Sequence, residues 1–117
     1  QPVGQTIWLS DEAQFDAVTA VSGSGPAYVF HFIEALAAAG AAAGLEPAMA
    51  MRLARQTLIG AAALAAQDGA TPAGTLRERV TSPGGTTAAG LSVLMPSLTP
   101  LLEQVVAAAA ARSRELG

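Results

Sequence analysis

Apolar residues along this chain recur mainly at the three- and four-residue spacing of helices. The only stretch that alternates as a strand would is residues 3–9, and it is followed by Asp11 and Gln14 at the spacing of a helix capping box. The pattern therefore predicts an all-α fold with helices over about 12–20, 26–43, 47–67, 72–80 and 88–95, and a last alanine-rich helix that ends near 112–116.

Proline and glycine residues mark where these helices begin and end. Pro26 and Pro47 suit the first turn of a helix, because proline has no N–H and its φ is already close to helical. Gly44 supplies a left-handed stop after the second helix. We expect Pro96 and Pro100 to bracket a turn between the fifth helix and the last one.

The apolar content is high, but most of it is alanine. Hydrophobic residues make up 51% of the 117 residues, whereas aromatic residues make up only 4%. Alanine buries little area, so a monomer of this composition gains little from its core. We therefore expect one domain whose helical bundle interlocks with a second copy as a dimer.

Charge and residue types exclude several classes of function. The net charge of −3, with six arginines and no lysine, argues against nucleic acid as a partner. The chain has no cysteine, and the single histidine, His31, cannot form a metal site alone. We expect His31 to be a packed core or interface residue. The apolar run over 35–45 is too short and too alanine-rich to span a bilayer, so no membrane partner is expected.

Residues 81–87, Thr-Ser-Pro-Gly-Gly-Thr-Thr, are the strongest candidate for a binding site. Adjacent glycines let backbone N–H groups approach a ligand, and a helix that starts there directs its free N–H groups and positive dipole end at it. Hydroxyl groups surround the same point. The pattern favours a small anion, although an ordinary N-capped loop with Thr86 or Thr87 as the cap has the same spacing.

Two other glycine patterns predict structure rather than chemistry. Gly23-Ser24-Gly25 follows no strand and precedes a proline, so it does not fit a dinucleotide-binding turn. Gly40 and Gly44 have the spacing of a close approach between two helices.

The chain resembles the C-terminal domain of the pyrroline-5-carboxylate reductase family over about residues 11–116. The motifs that carry the resemblance occur in order along the chain: Asp16 to Tyr28, Gly44-Leu45, Gln56-Thr57, Val80 to Thr87, and Arg112 to Leu116. The resemblance implies an oxidoreductase that reduces 1-pyrroline-5-carboxylate to L-proline in proline biosynthesis. It also implies NADPH or NADH as the cofactor, held by an N-terminal dinucleotide-binding domain, and a cytoplasmic location.

Mapped onto this sequence, the resemblance implies roles for the glycine-rich loop. Ser82 and the N–H groups of Gly85 and Thr86 would hold the substrate carboxylate, with Gly84 in the same substrate-binding set. Thr87 would be the catalytic residue, hydrogen-bonded to the ring nitrogen. Cofactor-binding residues would lie outside the chain, so no cofactor is expected to bind this chain alone.

The domain organisation that follows has two parts. Residues 1–10 would lead in from a missing N-terminal dinucleotide-binding domain, and residues 11–117 would form the C-terminal dimerisation and substrate-binding domain, inactive by itself. One alternative is a non-catalytic helical dimerisation module that retains only the fold. Another is a small anion-binding adaptor that uses only the glycine loop.

Overall fold

The computed structural model describes residues 12–117, and all of the regular structure in this range is helical. The predicted strand-like stretch at residues 3–9 and the predicted cap at Asp11 lie outside the described residues. The all-α prediction is confirmed. The elements in chain order are helix α1 (Glu12–Val18), a π-helical turn (Thr19–Gly23), α2 (Gly25–Ala42), α3 (Pro47–Gln67), α4 (Ala73–Arg79) and α5 (Thr86–Leu116).

The end of α2 follows the glycine signal in the sequence. Gly44 has a φ of 112°, which only glycine adopts without strain. The N–H of Leu45 donates to the carbonyl of Gly40 at 3.1 Å, and the N–H of Gly44 donates to that of Ala41 at 3.0 Å. This pair of bonds is the Schellman motif, which satisfies carbonyl groups that would otherwise be unpaired at the helix end.

The start of α3 also follows from local sequence. The Glu46 carboxylate accepts a hydrogen bond from the N–H of Met49 at 3.1 Å and so caps the first turn. Pro47 is the first helical residue, where its missing N–H costs nothing. The predicted beginning of this helix is confirmed.

The predicted turn between Pro96 and Pro100 is wrong, because α5 continues through both prolines for 31 residues. Each proline removes one hydrogen-bond donor, so the carbonyls of Ser92 and Pro96 lose their usual i+4 partner. These two carbonyls lie one turn apart on the same side of the helix. The loss is therefore confined to one side, and the alanine- and leucine-rich sequence that follows favours helix strongly enough to continue it.

The chain forms two compact units. The first combines the described residues up to Val29 with Met95–Gly117, and the second is Phe30–Leu94. In the first unit, the Ser113 hydroxyl donates to the Asp16 carboxylate at 2.8 Å, which joins residues 97 positions apart in sequence. Asp16 is only 8% exposed, so this bond satisfies a buried charged group.

The second unit has a small core in which α2 packs on α3. Ala37 on α2 and Ala50 and Ala54 on α3 are buried against each other. A Cβ atom added at Gly40 would lie 3.3 Å from the Leu45 side chain and 3.4 Å from the Ala50 Cβ atom. The predicted close helix approach at Gly40 is therefore confirmed, and small residues are what allow it.

The apolar pattern of the first helix predicts that Ala13, Val18 and Val21 face inward, but of these three only Val18 is even partly buried. Ala13 and Val21 are exposed, whereas Asp16 and Ala20 are buried. The π-helical turn over Thr19–Gly23 has more residues per turn than an α-helix, so the apolar spacing beyond it is displaced. Asp16 can be buried because Ser113 provides a hydrogen-bond donor.

The apolar residues of α3 spread widely around the helix and so predict burial on most sides, but the described residues of this chain bury little of it. Leu53, Ile59 and Leu64 are each about half exposed, and every residue from 61 to 67 is exposed. The sequence pattern identifies an apolar helix surface correctly, but the described residues of this chain do not cover it. An interaction surface is the usual explanation for exposed apolar residues in such number.

Candidate functional site

The glycine-rich loop forms a tight turn that leads directly into α5. The N–H of Gly85 donates to the carbonyl of Ser82 at 3.0 Å, which closes a four-residue β-turn. Pro83 occupies the second position, and Gly84 occupies the third with a φ of 72°. Proline followed by a residue of positive φ is the pattern of a type II turn, which requires glycine at the third position.

The turn commits the N–H of Gly85 to an acceptor within the chain. The N–H that the resemblance assigns to the substrate carboxylate thus already has an acceptor within the described residues. The physical reason is the turn itself, because the bond to Ser82 is what closes it. A Cβ atom added at Gly85 would lie 3.3 Å from the Ser82 carbonyl oxygen, so the close backbone approach also depends on glycine.

Three successive N–H groups remain open where α5 begins. The first helical bond at this end runs from the N–H of Ala89 to the carbonyl of Gly85 at 3.1 Å. The N–H groups of Thr86, Thr87 and Ala88 donate to no acceptor among the described residues. Gly85 has no side chain that could cap them. Such a helix start, with its positive dipole end exposed, is suited to an anion.

Hydroxyl groups at the same helix start are also available to a ligand. Ser82, Thr86 and Thr87 are exposed, and their hydroxyls make no hydrogen bond with the described residues. By contrast, Thr81 and Ser92 on either side each donate to a backbone carbonyl of the chain at 2.6 Å. The structure thus places three open N–H groups and three free hydroxyls in one short segment.

The charged residues before the loop behave as a solvated surface. Arg77 and Glu78 form a weak ion pair at 3.9 Å, and both side chains are substantially exposed. Arg79 is exposed as well. Exposed pairs of this kind contribute little to stability.

His31 was predicted to be a packed core or interface residue, and the structure shows that it does not lie in the core of this chain. Its side chain is 79% exposed, and its Nδ1 atom lies 3.1 Å from the Glu34 carboxylate one turn along α2. Gly23 ends the π-helical turn and Gly25 begins α2, so neither follows a strand. The structure therefore agrees that this glycine pair is a helix boundary.

An open cavity also lies in the first unit, but few of its polar groups are free to bind a ligand. The open cavity has a volume of about 470 Å³. Arg112 is paired with Glu115 at 3.0 Å, and the Ser113 hydroxyl is bonded to Asp16. Its main polar groups are thus already partnered within the chain. The lining residues are Thr19, Ser24, Ala109, Arg112, Ser113, Leu116 and Gly117.

Helix α5 also has an extensive exposed apolar surface. Val93 is 74% exposed, and Leu101 and Met95 are about half exposed. An 18-residue window of this helix has a mean hydropathy of 1.4 and no buried residue, which by length and composition alone would suffice to cross a membrane. The same exposure is expected of a helix that packs against another protein chain.

The fold and the site together define an all-helical domain with open N–H groups at the start of α5 and extensive apolar surface that the described residues leave uncovered. The family model for pyrroline-5-carboxylate reductase dimerisation matches residues 12–116. The chain belongs to this family. That match includes every residue of the glycine-rich loop and of α5.

Individual relatives agree with the family match. A pyrroline-5-carboxylate reductase of Arabidopsis thaliana is 55% identical over 111 residues, which cover 94% of this chain and 40% of the relative. The structure of a pyrroline-5-carboxylate reductase from Coxiella burnetii matches with a TM-score of 0.87 and 42% identity over 98% of this chain and 43% of that one. A pyrroline carboxylate reductase from Plasmodium falciparum, solved with NADP bound, matches with a TM-score of 0.81 and 37% identity, over 92% of this chain and 41% of that one.

The chain therefore spans about two fifths of the length of the relatives that it matches. The sequence comparison places this part at their C-terminal end.

Proposed function

We propose that this chain is the dimerisation and substrate-binding part of a pyrroline-5-carboxylate reductase, an oxidoreductase that reduces 1-pyrroline-5-carboxylate to L-proline. The observation that carries the proposal is the start of α5, where three adjacent N–H groups have no acceptor among the described residues. A small carboxylate matches that arrangement in charge and in hydrogen-bonding capacity. Membership of the family supports 1-pyrroline-5-carboxylate as that carboxylate.

In this proposal the substrate carboxylate lies at the start of α5. The N–H groups of Thr86, Thr87 and Ala88 donate to its oxygens, and the Ser82 hydroxyl donates from the other side of the turn. Gly84 and Gly85 contribute shape rather than donors, since one provides the positive φ and the other the close backbone approach. Charge-assisted hydrogen bonds of this kind are stronger than neutral ones, so they fix the orientation of the ring.

Thr87 is the catalytic residue of the proposal. Its hydroxyl accepts a hydrogen bond from the protonated ring nitrogen of the cyclic imine, while its N–H belongs to the carboxylate site. Protonation makes the imine carbon electrophilic before it reaches the enzyme, so no strong acid or base is needed beside it. The residues of this chain then accelerate the reaction by orientation and electrostatics.

NADPH or NADH supplies the hydride in the complete enzyme. The described residues contain no strand that leads into a glycine-rich turn and a helix, which is the arrangement that binds a dinucleotide. The proposal places the cofactor on the part of the relatives that this chain does not cover. The remaining three fifths of the length of the relatives leaves room for a domain that binds one.

The second part of the proposal is a homodimer. The exposed apolar residues of α3 and α5 would be covered by the same helices of an interlocked second copy, because an isologous interface uses one surface twice. This arrangement would also account for the membrane-like hydropathy of α5. A cytoplasmic location of the enzyme is part of the same proposal. Neither a membrane nor nucleic acid is a partner in this proposal.

The catalytic part of the proposal is tested in the full-length polypeptide that carries this chain. Thr87→Ala should lower kcat/KM for 1-pyrroline-5-carboxylate by about one to two orders of magnitude, the scale of one or two hydrogen bonds to a charged group. Thr75→Ala on α4 is the matched control, because the Thr75 hydroxyl makes no hydrogen bond with the described residues. Unchanged kinetics in the Thr87 variant would remove this residue from the mechanism.

The dimer is tested by size-exclusion chromatography with light scattering on the same polypeptide. We expect a mass of two chains or a multiple of two. Leu64→Glu, which places a charge on the exposed apolar surface of α3, should shift the distribution towards single chains. A wild-type protein that is strictly monomeric at micromolar concentration would contradict the homodimer.

A further inference from the structure

Thr81, the residue immediately before Ser82, is bonded more tightly to α4 than any sequence pattern suggests. Its hydroxyl donates to the carbonyl of Arg77 at 2.6 Å, and its N–H donates to the carbonyl of Glu78 at 3.1 Å. The preceding N–H, that of Val80, donates to Arg77 at 3.2 Å. Three donors thus converge on two carbonyls, those of Arg77 and Glu78, in the last turn of this helix.

The hydrogen bond from the Thr81 hydroxyl matters for the stability of α4 because this helix is short. The helix has seven residues, and helices of that length are marginal by themselves. Its last residues have no glycine in the left-handed conformation to end them, since Val80 is the C-cap residue with a φ of −107°. The Thr81 hydroxyl therefore donates to a carbonyl at the end of α4, as the N–H groups of the glycine motif do at the end of α2.

The hydrogen bonds of Thr81 also restrict the anion site, because Thr81 is joined directly to Ser82 by one peptide bond. Thr81 is fixed to α4 by two hydrogen bonds, and the Ser82 carbonyl is fixed to the N–H of Gly85 by a third. Ser82 lies between these anchors, so the direction of its hydroxyl depends on both. Loosening Thr81 would leave the turn closed but free to swing relative to α4.

We infer that Thr81 is a positioning residue for the anion site, whose hydroxyl bond to the Arg77 carbonyl holds Ser82 and the start of α5 in register for a carboxylate ligand. The inference rests on the proposed function of that site. Thr81 touches no substrate in this arrangement, and it acts on the affinity for the carboxylate rather than on hydride transfer.

The experiment compares Thr81→Val, which keeps the shape but removes the hydroxyl, with Thr81→Ser, which keeps the hydroxyl. Both are made in the full-length polypeptide, with Thr75→Val on α4 as the control for the exchange itself. The measurements are KM and kcat for 1-pyrroline-5-carboxylate, and the dissociation constant of L-proline by calorimetry. Thermal unfolding of each variant, at one fixed protein concentration, reports whether it folds.

We expect Thr81→Val to raise KM and the L-proline dissociation constant about fivefold, which corresponds to one net hydrogen bond. Its kcat should stay within about twofold of wild type, and Thr81→Ser should restore wild-type affinity within about twofold. The Thr75→Val control should bind as wild type does. If Thr81→Val does not fold, the serine variant and Thr81→Cys, which has a weaker donor, provide the same ordering of affinities.

Three results would overturn the inference. They are wild-type affinity in Thr81→Val, a serine variant as weak as the valine variant, or a loss confined to kcat. If wild-type protein itself binds no L-proline and reduces no 1-pyrroline-5-carboxylate, the proposed function fails, which is a different outcome from failure of Thr81 alone.

Discussion

The hydrogen bond between Ser113 and Asp16 makes a sharp prediction about stability. The Ser113 hydroxyl donates to the Asp16 carboxylate at 2.8 Å, near the C-terminal end of α5 and inside α1. Asp16 is 8% exposed and its bond to Ser113 is part-buried, so removing the donor leaves a carboxylate that is poorly solvated. Ser113→Ala therefore leaves a buried carboxylate oxygen without that partner.

The magnitude follows from the cost of leaving such a group unsatisfied. Hydrogen bonds to charged groups contribute about 1.5–3 kcal/mol, so we expect Ser113→Ala to lower the free energy of unfolding by about 2 kcal/mol. In a domain of this size, that loss lowers Tm by roughly 8 °C. Asp16→Asn, which retains an acceptor oxygen but not the charge, should lose less than Ser113→Ala.

The assay is urea unfolding of wild type, Ser113→Ala, Asp16→Ala and the double variant, all at one protein concentration because a dimer is stabilised by mass action. The double-mutant cycle should give a coupling energy of about 1–2 kcal/mol between the two residues. Ser97→Ala is the matched control, because Ser97 is an exposed residue of α5 whose hydroxyl makes no hydrogen bond with the described residues. It should change stability by less than about 0.5 kcal/mol.

A Ser113→Ala variant as stable as the Ser97→Ala control would refute this reasoning. So would a coupling energy near zero in the cycle, since additive losses would mean that the two side chains do not depend on each other. Either result would show that the burial of Asp16 is satisfied by other means.

Three further predictions concern backbone geometry. Gly84→Ala should cost about 1–2 kcal/mol in unfolding free energy and weaken L-proline binding, since alanine is strained at a φ of 72°; unchanged binding would argue against the turn as part of the site. Gly40→Leu should destabilise the α2–α3 packing by more than about 2 kcal/mol, because even a Cβ atom there meets the Leu45 side chain at 3.3 Å; a stable variant would contradict the close approach. Glu46→Ala should cost about 0.5–1 kcal/mol through loss of the bond to the Met49 N–H, and no loss in a thermal melt would show that water caps α3 equally well.

Local sequence determined the helix class and most of the helix ends. Gly44 and Glu46 set the boundary between α2 and α3 through interactions that span five residues or fewer, so they could be identified without a fold. The glycine-rich loop was identifiable for the same reason. Its geometry depends on a proline and two glycines that are adjacent in sequence.

Predictions from local sequence were less successful where the effect of one residue depends on the residues around it. Pro96 and Pro100 predicted a turn, yet α5 passes through both, because the propensity of the flanking residues outweighs two missing donors. The resemblance assigned the Gly85 N–H to a ligand, and the structure shows that this N–H closes the turn, whereas the N–H of Ala88 has no acceptor among the described residues. In both cases, the residue type indicates which conformations and hydrogen bonds are possible. Only the path of the backbone shows which of them is formed.

By itself, then, the sequence determined an alanine-rich, all-helical chain of the pyrroline-5-carboxylate reductase family, with a glycine-rich loop at residues 81–87 as the candidate site for an anion. Only the tertiary structure decided that Asp16 would be buried, because its partner Ser113 lies 97 residues away and no local pattern joins them. Only the structure decided, too, which apolar surfaces the described residues leave open on α3 and α5. The physical reason is that burial depends on what packs against a residue, whereas turns and helix ends depend on its neighbours along the chain.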